Sequence, residues 1–414
     1  MARTVPSSRH RPAPATPPPV PGLPDVLLIL ALVGLVSLGM VMIYSTTLFE
    51  QTPAEVAREL GLQFGVGLAG LLAGVLMPLS WWRRLTPLVL LGAAGALLSL
   101  EIPGNPLAVS RLGATRWLQL GPLSFQPSEF AKLAFILFSA GFLQRHGRRM
   151  RLQHLAFYLG VAGFLAFLIY REPDLGTAAV IGGIAICMLW VAQAHWLLVA
   201  GLSGLAISGI LLLARTKPHQ QERLLAWRNP WAYEDTIGHQ IIQSWTAMAR
   251  GGLWGVGLGQ SLQKLGNRLP EAETDFIFSV IVEELGLVGG VAVILLFLLF
   301  AWRGFAIALR APDRYSALLA AGITTWVAGQ AALNVGVVTG TIPNTGIPLP
   351  FLSSGGSSLL ALMIASGLLL SISRLPPAEP QAATRESGPE PPAHRAAPGP
   401  GPEPRPRRRR PARG

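Results

Sequence analysis

Apolar runs of about 17 to 25 residues, each long enough to cross a bilayer as a helix, recur ten times along this chain. So many runs cannot share one water-excluded core. In lipid every backbone N–H and C=O must be paired within the spanning structure, and continuous rather than alternating apolar sequence selects helices over a barrel. The sequence therefore predicts an all-α polytopic membrane protein with about ten transmembrane helices. They fall at 25–46, 60–80, 85–101, 127–144, 153–170, 176–192, 196–214, 276–301, 316–338 and 357–373.

Orientation follows from the loops, because Lys and Arg gather on the cytoplasmic side of short connections. Trp81-Trp82-Arg83-Arg84, the run from Arg145 to Arg151, and Arg303, Arg310 and Arg314 fall on alternate loops that share a side with both termini. Residues 1–23 lack an apolar core, so no cleaved leader is expected and both termini are predicted to be cytoplasmic. The other side carries most of the motif-like sequence, including a large extracytoplasmic loop, 215–275, between helices seven and eight. A connection of that length is usually functional or disordered. Within it Ile237, Ile241, Ile242, Trp245 and Met248 share one helical face opposite His239, Gln243 and Thr246, and Gly251-Gly252 supplies a stop. That pattern predicts an amphipathic helix lying at the interface.

The net charge of +12 raises the question of nucleic acid, which its distribution answers. Residues 1–23 hold three Arg and 375–414 hold eight Arg against four Glu, leaving +5 for the helical body. Both tails are rich in Pro, Ala and Arg, a composition that cannot bury enough apolar surface to fold alone. The tails (1–24 and 375–414) are read as disordered and cytoplasmic, near an anionic leaflet, and no nucleic-acid partner is expected. The single cysteine, Cys187, lies mid-helix and is read as packing.

Four stretches carry candidate chemistry. Leu269 to Gly286, LPEAETDFIFSVIVEELG, sets Glu271, Glu273 and Asp275 before an apolar helix. This is either a general base or a metal-binding carboxylate cluster, or an acidic helix start that complements the dipole. Glu283 and Glu284 lie about two turns into the span, where carboxylates need partners, and basic groups on neighbouring helices are the expected ones. Gly113 to Lys132 reads as a small hairpin turning at Gly121-Pro122, then a helix with Pro127 first and Glu129 in its first turn. There Glu129 and Lys132 either neutralise each other or join Arg116 in a basic site for phosphate. Arg171-Glu172-Pro173-Asp174 reads first as a local ion pair at a helix end. Asn344 to Ser358, NTGIPLPFLSSGGSS, is non-helical sequence beside the last span, tolerated there only if protein buries it or it walls a wet cavity. A cavity wall is expected. Gly255-Val256-Gly257-Leu258-Gly259 follows no strand and is not a nucleotide fingerprint, and no pair of histidines has zinc-enzyme spacing.

At these residues the chain resembles the SEDS family of peptidoglycan glycosyltransferases, whose division and elongation members are FtsW and RodA. The matching stretches are GATRWLQLGPLSFQPSEFAKL, REPDLGTA, GHQIIQSWTAMARGGLWGVGLGQSLQK, LPEAETDFIFSVIVEELG and IPNTGIPLPFLSSGGSS, in one order over 25–374. The resemblance implies ten helices, cytoplasmic termini in the bacterial cytoplasmic membrane, and polymerisation of lipid II outside it. It also implies a class B penicillin-binding protein transpeptidase as partner, with other divisome or elongasome membrane proteins. GLGQSLQK looks more like FtsW than RodA. Thr345 stands where some division members carry Lys, and Glu273 and Ser354 replace the family's His and Tyr.

By match to the TDFIF motif, Asp275 is the expected catalytic residue. The residues expected to touch substrate are Arg116, Glu129, Lys132, Arg171, Asp174, Gln243, Glu271, Ser353 and Ser357. Asp275 would take the proton of the acceptor hydroxyl, its pKa raised from about 3.9 by desolvation beside Glu271 and Glu273. The leaving diphosphate needs countercharge, from Arg116, Lys132 or Arg171 directly or through a divalent cation, Mg or Mn. Two rival readings remain: a lipid II flippase, which would place its key charges near the midplane of repeated halves, and a noncatalytic scaffold.

Overall fold

The computed structural model describes residues 22–47, 52–111, 114–121, 123–147, 150–216, 218–263 and 268–377. The two tails predicted to be disordered lie almost wholly outside the described residues. Every predicted span is a helix. These are α1 (Val26–Thr47), α2 (Pro53–Leu76), α3 (Leu79–Leu100), α4 (Pro127–His146), α5 (Leu152–Arg171), α6 (Leu175–Val191) and α7 (Trp196–Thr216). After the outer loop come α10 (Ile277–Arg310), α11 (Arg314–Val338) and α12 (Gly356–Ser373). Among the described residues eight of these are long and apolar enough to cross a membrane. The other two are α6, a shorter apolar helix, and α4, which carries Glu129 and Lys132 in its first two turns. Helix α2 starts seven residues before its apolar run because Thr52 and Glu55 form a capping box, with Pro53 at the first position.

The interior is built from α4, α11 and α12. Two-thirds of the apolar stretch of α11 and of α12 is enclosed by protein, and most of α4 is buried. Helix α2 lies on α12 through Gly67, Gly70 and Gly74. A Cβ at Gly74 would sit 2.5 Å from the Ile364 carbonyl oxygen, so only glycine permits this approach. Between α3 and α4 the chain forms an antiparallel sheet of β1 (Ala108–Arg111), β2 (Ala114–Leu120) and β3 (Leu123–Phe125), in that order. The β2–β3 pair is the expected hairpin, turning at Gly121 with φ 63°.

The outer loop contains α8 (Pro218–Arg228), a 3-10 turn at Pro230–Tyr233 and α9 (Ile237–Gly251). Helix α9 is the predicted amphipathic helix, but its packing face differs. The buried stripe is Gly238, Ile241, Ser244, Ala247 and Gly251, while Ile237, Ile242, Trp245 and Met248 are half-buried. Small residues win because α9 packs backbone-close on the first turns of α10, where the Ser244 and Ser279 hydroxyls are 2.7 Å apart. Hydropathy alone ranks the isoleucines first and misses this.

Helix α10 breaks at Gly286, whose φ of 73° and ψ of −175° are not helical. Residues 277–284 before the break are buried without exception. Glu283 there receives the Ser261 hydroxyl, the Leu262 N–H at 3.2 Å and, at 3.6 Å, Arg250. Glu284 receives the Ser45 hydroxyl at 2.8 Å and the Ser261 N–H at 3.4 Å. The expectation of a basic partner holds for Glu283 through Arg250, and the contacts of Glu284 include a hydroxyl and an amide. The loop 252–262 folds against the break and supplies the Ser261 and Leu262 donors, a local feature invisible to charge pairing along the sequence.

Candidate active site

Four segments meet around Asp275. The first is its own loop, which enters α10. In it Glu271 takes the left-handed φ of 59°, uncommon for a side chain of its size. Its carbonyl accepts from the Thr274 and Phe276 N–H groups at 3.2 and 3.1 Å, and its carboxylate accepts the Thr274 hydroxyl at 2.6 Å.

The second segment is the α11–α12 connector. Asn334 of α11 donates through its amide nitrogen to the Asp275 carbonyl at 2.7 Å and to the Ile347 carbonyl at 2.8 Å. Ser353 donates its hydroxyl to the Thr274 carbonyl at 2.6 Å and accepts the Leu349 N–H at 2.7 Å. The Ser354 N–H donates to Glu273 at 2.8 Å. The connector is enclosed by protein, with Ile347, Leu349, Phe351 and Leu352 buried, which satisfies the condition for non-helical backbone there.

The third segment is α8. Arg223 points its guanidinium at the connector, with Nη1 3.3 Å from the Asn344 carbonyl. Gly346, at φ 67°, lies between it and the acid. A Cβ placed there would be 3.5 Å from Asp275 Oδ2 and 3.8 Å from Arg223 Nη1. A side chain at Gly346 would fill the gap between anion and cation. The sequence reading passed over Arg223. Its one signal is the spacing to Ala226 and Trp227, three and four positions on, which are the face α8 packs with: Ala226 is buried and the Trp227 indole donates to the Gly340 carbonyl at 2.8 Å.

The fourth segment joins β2 to the α5–α6 turn. Arg116 donates to the Glu172 and Pro173 carbonyls at 2.7 and 2.6 Å. Asp174 accepts the Thr177 N–H at 2.9 Å, capping α6. Arg171 pairs with Glu101 at 2.7 Å on the surface, so the local ion pair expected within Arg171–Asp174 does not form. A helix end sends these side chains in different directions: Arg171 outward and Asp174 back over the first turn of α6.

Burial raises the Asp275 carboxyl from the usual aspartate range to about 7, helped by the charges of Glu271 and Asp174 and opposed by Arg223 and Arg116. The residue keeps some open surface while its carboxyl is enclosed by protein atoms. Asp174 joins Glu271 in acting on it, because the α5–α6 turn is brought in from far along the sequence. Glu172 is also pushed up, to about 9, by burial and by Asp174, and neither of its carboxylate oxygens has a hydrogen-bond partner among the described residues. Burial pushes the Arg223 guanidinium below its ordinary range.

Glu129 and Lys132 lie behind the connector. Lys132 Nζ is 2.7 Å from both Glu129 Oε1 and Gln330 Oε1 and sits over the Trp326 ring, with no exposed surface. Glu129 also accepts the Ser358 hydroxyl at 2.9 Å, Gln330 donates to the Pro348 carbonyl at 2.9 Å, and Ser357 accepts the Gln126 N–H at 3.2 Å. The pair therefore neutralises itself while tying α4 to α11, the connector and α12. Gln243 is half-buried on α9. No three His, Cys, Asp or Glu side chains among the described residues are grouped to hold a metal ion. An apolar cavity of about 880 Å³ between α5, α6 and α7 begins at Tyr170 and Leu175, beside the α5–α6 turn. A smaller one, about 440 Å³, lies among Val191, Leu309 and Arg314 and touches none of these groups.

Fold and site together define a polytopic α-helical membrane protein with a desolvated carboxylate in its large loop. The chain belongs to the FtsW/RodA/SpoVE family of cell cycle proteins, whose sequence model matches residues 25–376. It is 41% identical over 360 residues to stage V sporulation protein E of Bacillus subtilis, covering 85% of this chain and 97% of that one. It is 36% identical over 356 residues to a probable peptidoglycan glycosyltransferase FtsW of Geobacter metallireducens, covering 84% and 94%. Among solved structures it superposes on a chain of a peptidoglycan synthase complex that coordinates polymerization and crosslinking, with TM-score 0.71, 29% identity, and 85% and 98% coverage. The rod shape determining protein RodA of Thermus thermophilus matches with TM-score 0.63, 26% identity, and 85% and 97% coverage.

The surroundings of Asp275 fix the sign of two substitutions. Glu271→Gln removes a repelling charge and is expected to lower the Asp275 pKa, whereas Arg223→Gln removes an attracting one and raises it. Infrared pH titration of the carboxyl band that vanishes in Asp275→Asn reads both shifts directly.

Proposed function

We propose that this protein is a peptidoglycan glycosyltransferase that polymerises lipid II at the outer face of the bacterial cytoplasmic membrane, with Asp275 as general base. The observation that carries the reading is a carboxylate desolvated to a pKa near neutrality and facing Arg223 across Gly346. A base whose pKa lies near the working pH combines the right protonation state with the best driving force. Asp275 takes the proton from the acceptor GlcNAc 4-hydroxyl as that oxygen attacks the anomeric carbon of the donor. The bond from that carbon to the diphosphate breaks, undecaprenyl diphosphate leaves with the electron pair, and the configuration inverts.

Arg223 and Arg116 are the cations that act on Asp275, and they supply the countercharge for the leaving group. Lys132 is fully buried and already paired, so its part is to hold the connector that positions Asp275. Arg171 is tied to Glu101 at the surface. The cavity beside Tyr170 and Leu175 suits the lipid end of a substrate whose sugar end reaches Asp275. A class B penicillin-binding protein is the proposed partner, and GLGQSLQK favours the division role over elongation.

Asp275→Asn keeps the size and most hydrogen bonds of the side chain and removes its basicity. Glycan synthesis from lipid II by the purified variant with its partner is expected to fall by about 10²- to 10⁴-fold, with membrane insertion intact. Near-normal synthesis would remove the general-base assignment, and loss of lipid II translocation instead would favour a transporter.

The arginine-bearing loops and both termini are assigned to the cytoplasm, and α8, α9 and Asp275 to the outside. A Gln260→Cys substitution in a Cys187→Ser background tests this. The new thiol should react with an impermeant maleimide in intact cells, and labelling only after lysis would invert the topology.

A further inference from the structure

Two polar links join α1 to α10, one near each end of the pair. At one end Arg303 Nε donates to Asp25 at 3.1 Å. At the other, Ser45 donates to Glu284 at 2.8 Å. Asp25 and Ser45 are separated by about 30 Å of helix, and Glu284 and Arg303 by about 29 Å, at 1.5 Å per residue. The hydrocarbon core of a bilayer is about 30 Å thick. Charged and hydroxyl groups spaced by that thickness match its two faces, and the exposed apolar side chains of α10 from Leu287 to Trp302 lie between them, with Phe305 and Leu309 beyond Arg303.

The loop 252–259, GLWGVGLG, is fastened at the outer link. Val256 N–H donates to the Glu283 carbonyl at 2.9 Å, Gly257 N–H to Glu284 at 3.0 Å, and Leu287 N–H to Gly252 at 2.9 Å. These bonds use the Glu283 and Glu284 carbonyls and the Leu287 N–H, which the break at Gly286 frees from helical pairing. Gly252, Gly255, Gly257 and Gly259 all have φ between 55° and 105°, which turns the chain sharply and throws the intervening apolar side chains outward. Leu253 is 62% exposed, Trp254 80% and Leu258 54%, beside Leu287 at 52% at the top of the membrane face of α10. A backbone pinned this firmly has no reason to present a tryptophan and two leucines to water.

We propose that loop 252–259 is an interfacial anchor that inserts Leu253, Trp254 and Leu258 into the outer acyl–headgroup boundary of the bilayer. An indole is suited to that layer, where its ring meets acyl chains and its N–H meets water. The anchor fixes the height of the loop above it. Ile277, where α10 begins, stands at most about 14 Å above the break, so Asp275 is held within reach of headgroups rather than of bulk solvent. This inference concerns the membrane and is independent of the reaction Asp275 performs.

The test uses the full-length protein carrying Cys187→Ser and, in turn, Trp254→Cys, Leu258→Cys, Leu295→Cys or Asp235→Cys. Each is labelled with a bimane fluorophore and reconstituted into lipid nanodiscs, with Leu295 a lipid-facing reference and Asp235 an aqueous one. A nitroxide at a shallow acyl carbon should quench positions 254 and 258 as strongly as position 295 and several-fold more than position 235, with iodide showing the reverse order. Either loop position suffices if the other variant does not fold. Iodide quenching equal to that at position 235, or shielding from both quenchers, would overturn the anchor, while a failure of glycan synthesis would leave this readout unchanged.

Discussion

The site depends on hydrogen bonds to the backbone of the Asp275 loop, with the Asn334 side-chain amide first among them. Asp275 sits in a loop, and a loop holds a carboxylate still only if its backbone groups are bonded to something rigid. Asn334, in a helix mostly enclosed by protein, donates to the carbonyls of Asp275 and Ile347 at once. It joins the acid's loop to the connector that carries Gly346 and accepts Arg223. Ser353 makes the same connection a few residues on, through the Thr274 carbonyl. Neutral hydrogen bonds to backbone contribute about 0.5 to 1.5 kcal/mol each, but a buried carbonyl left without its donor costs about 1 to 3. The rivet is therefore more expensive to remove than its net strength implies.

Behind it stands a buried charge. Lys132 has no exposed surface, and burying an ammonium is tolerable only with a full set of partners. Glu129, Gln330 and the Trp326 ring supply them, and the outer members of the set bond the connector and α12 in turn. Buried ion pairs often add no stability over an apolar core of the same volume, but the bonds of this one tie α4, α11, α12 and the connector in one register. That register places Gly346 between Arg223 and Asp275.

The helices were legible because lipid imposes the rule that creates the signal: an unbroken apolar run of spanning length has one structure open to it. Ends were less legible where polar sequence is helical, as at Pro53, whose capping box contributes no hydropathy. The carboxylate loop and hairpin could be read from Glu271, Asp275 and Gly121 because their neighbours in sequence are their neighbours in space. Arg223 and Asp174 could not be placed beside Asp275, since the loops that bring them together are fixed by contacts between distant segments: those of Asn334 and Asn344, and the close approach of Gly176, where a Cβ would sit 2.5 Å from the Thr345 carbonyl oxygen. The stripe on α9 failed for a related reason. Which face packs is decided by how closely a partner backbone approaches, and that depends on the break at Gly286.

Desolvation of the Asp275 carboxyl is the claim on which the chemistry rests, and the pH dependence of single-turnover glycan synthesis tests it most directly. The account predicts a rate that rises tenfold per pH unit and levels off with a midpoint near 7, because only the deprotonated acid accepts a proton. A rate that depends on Asp275 yet stays flat across roughly pH 5 to 9 would mean an unperturbed carboxylate, and would contradict it.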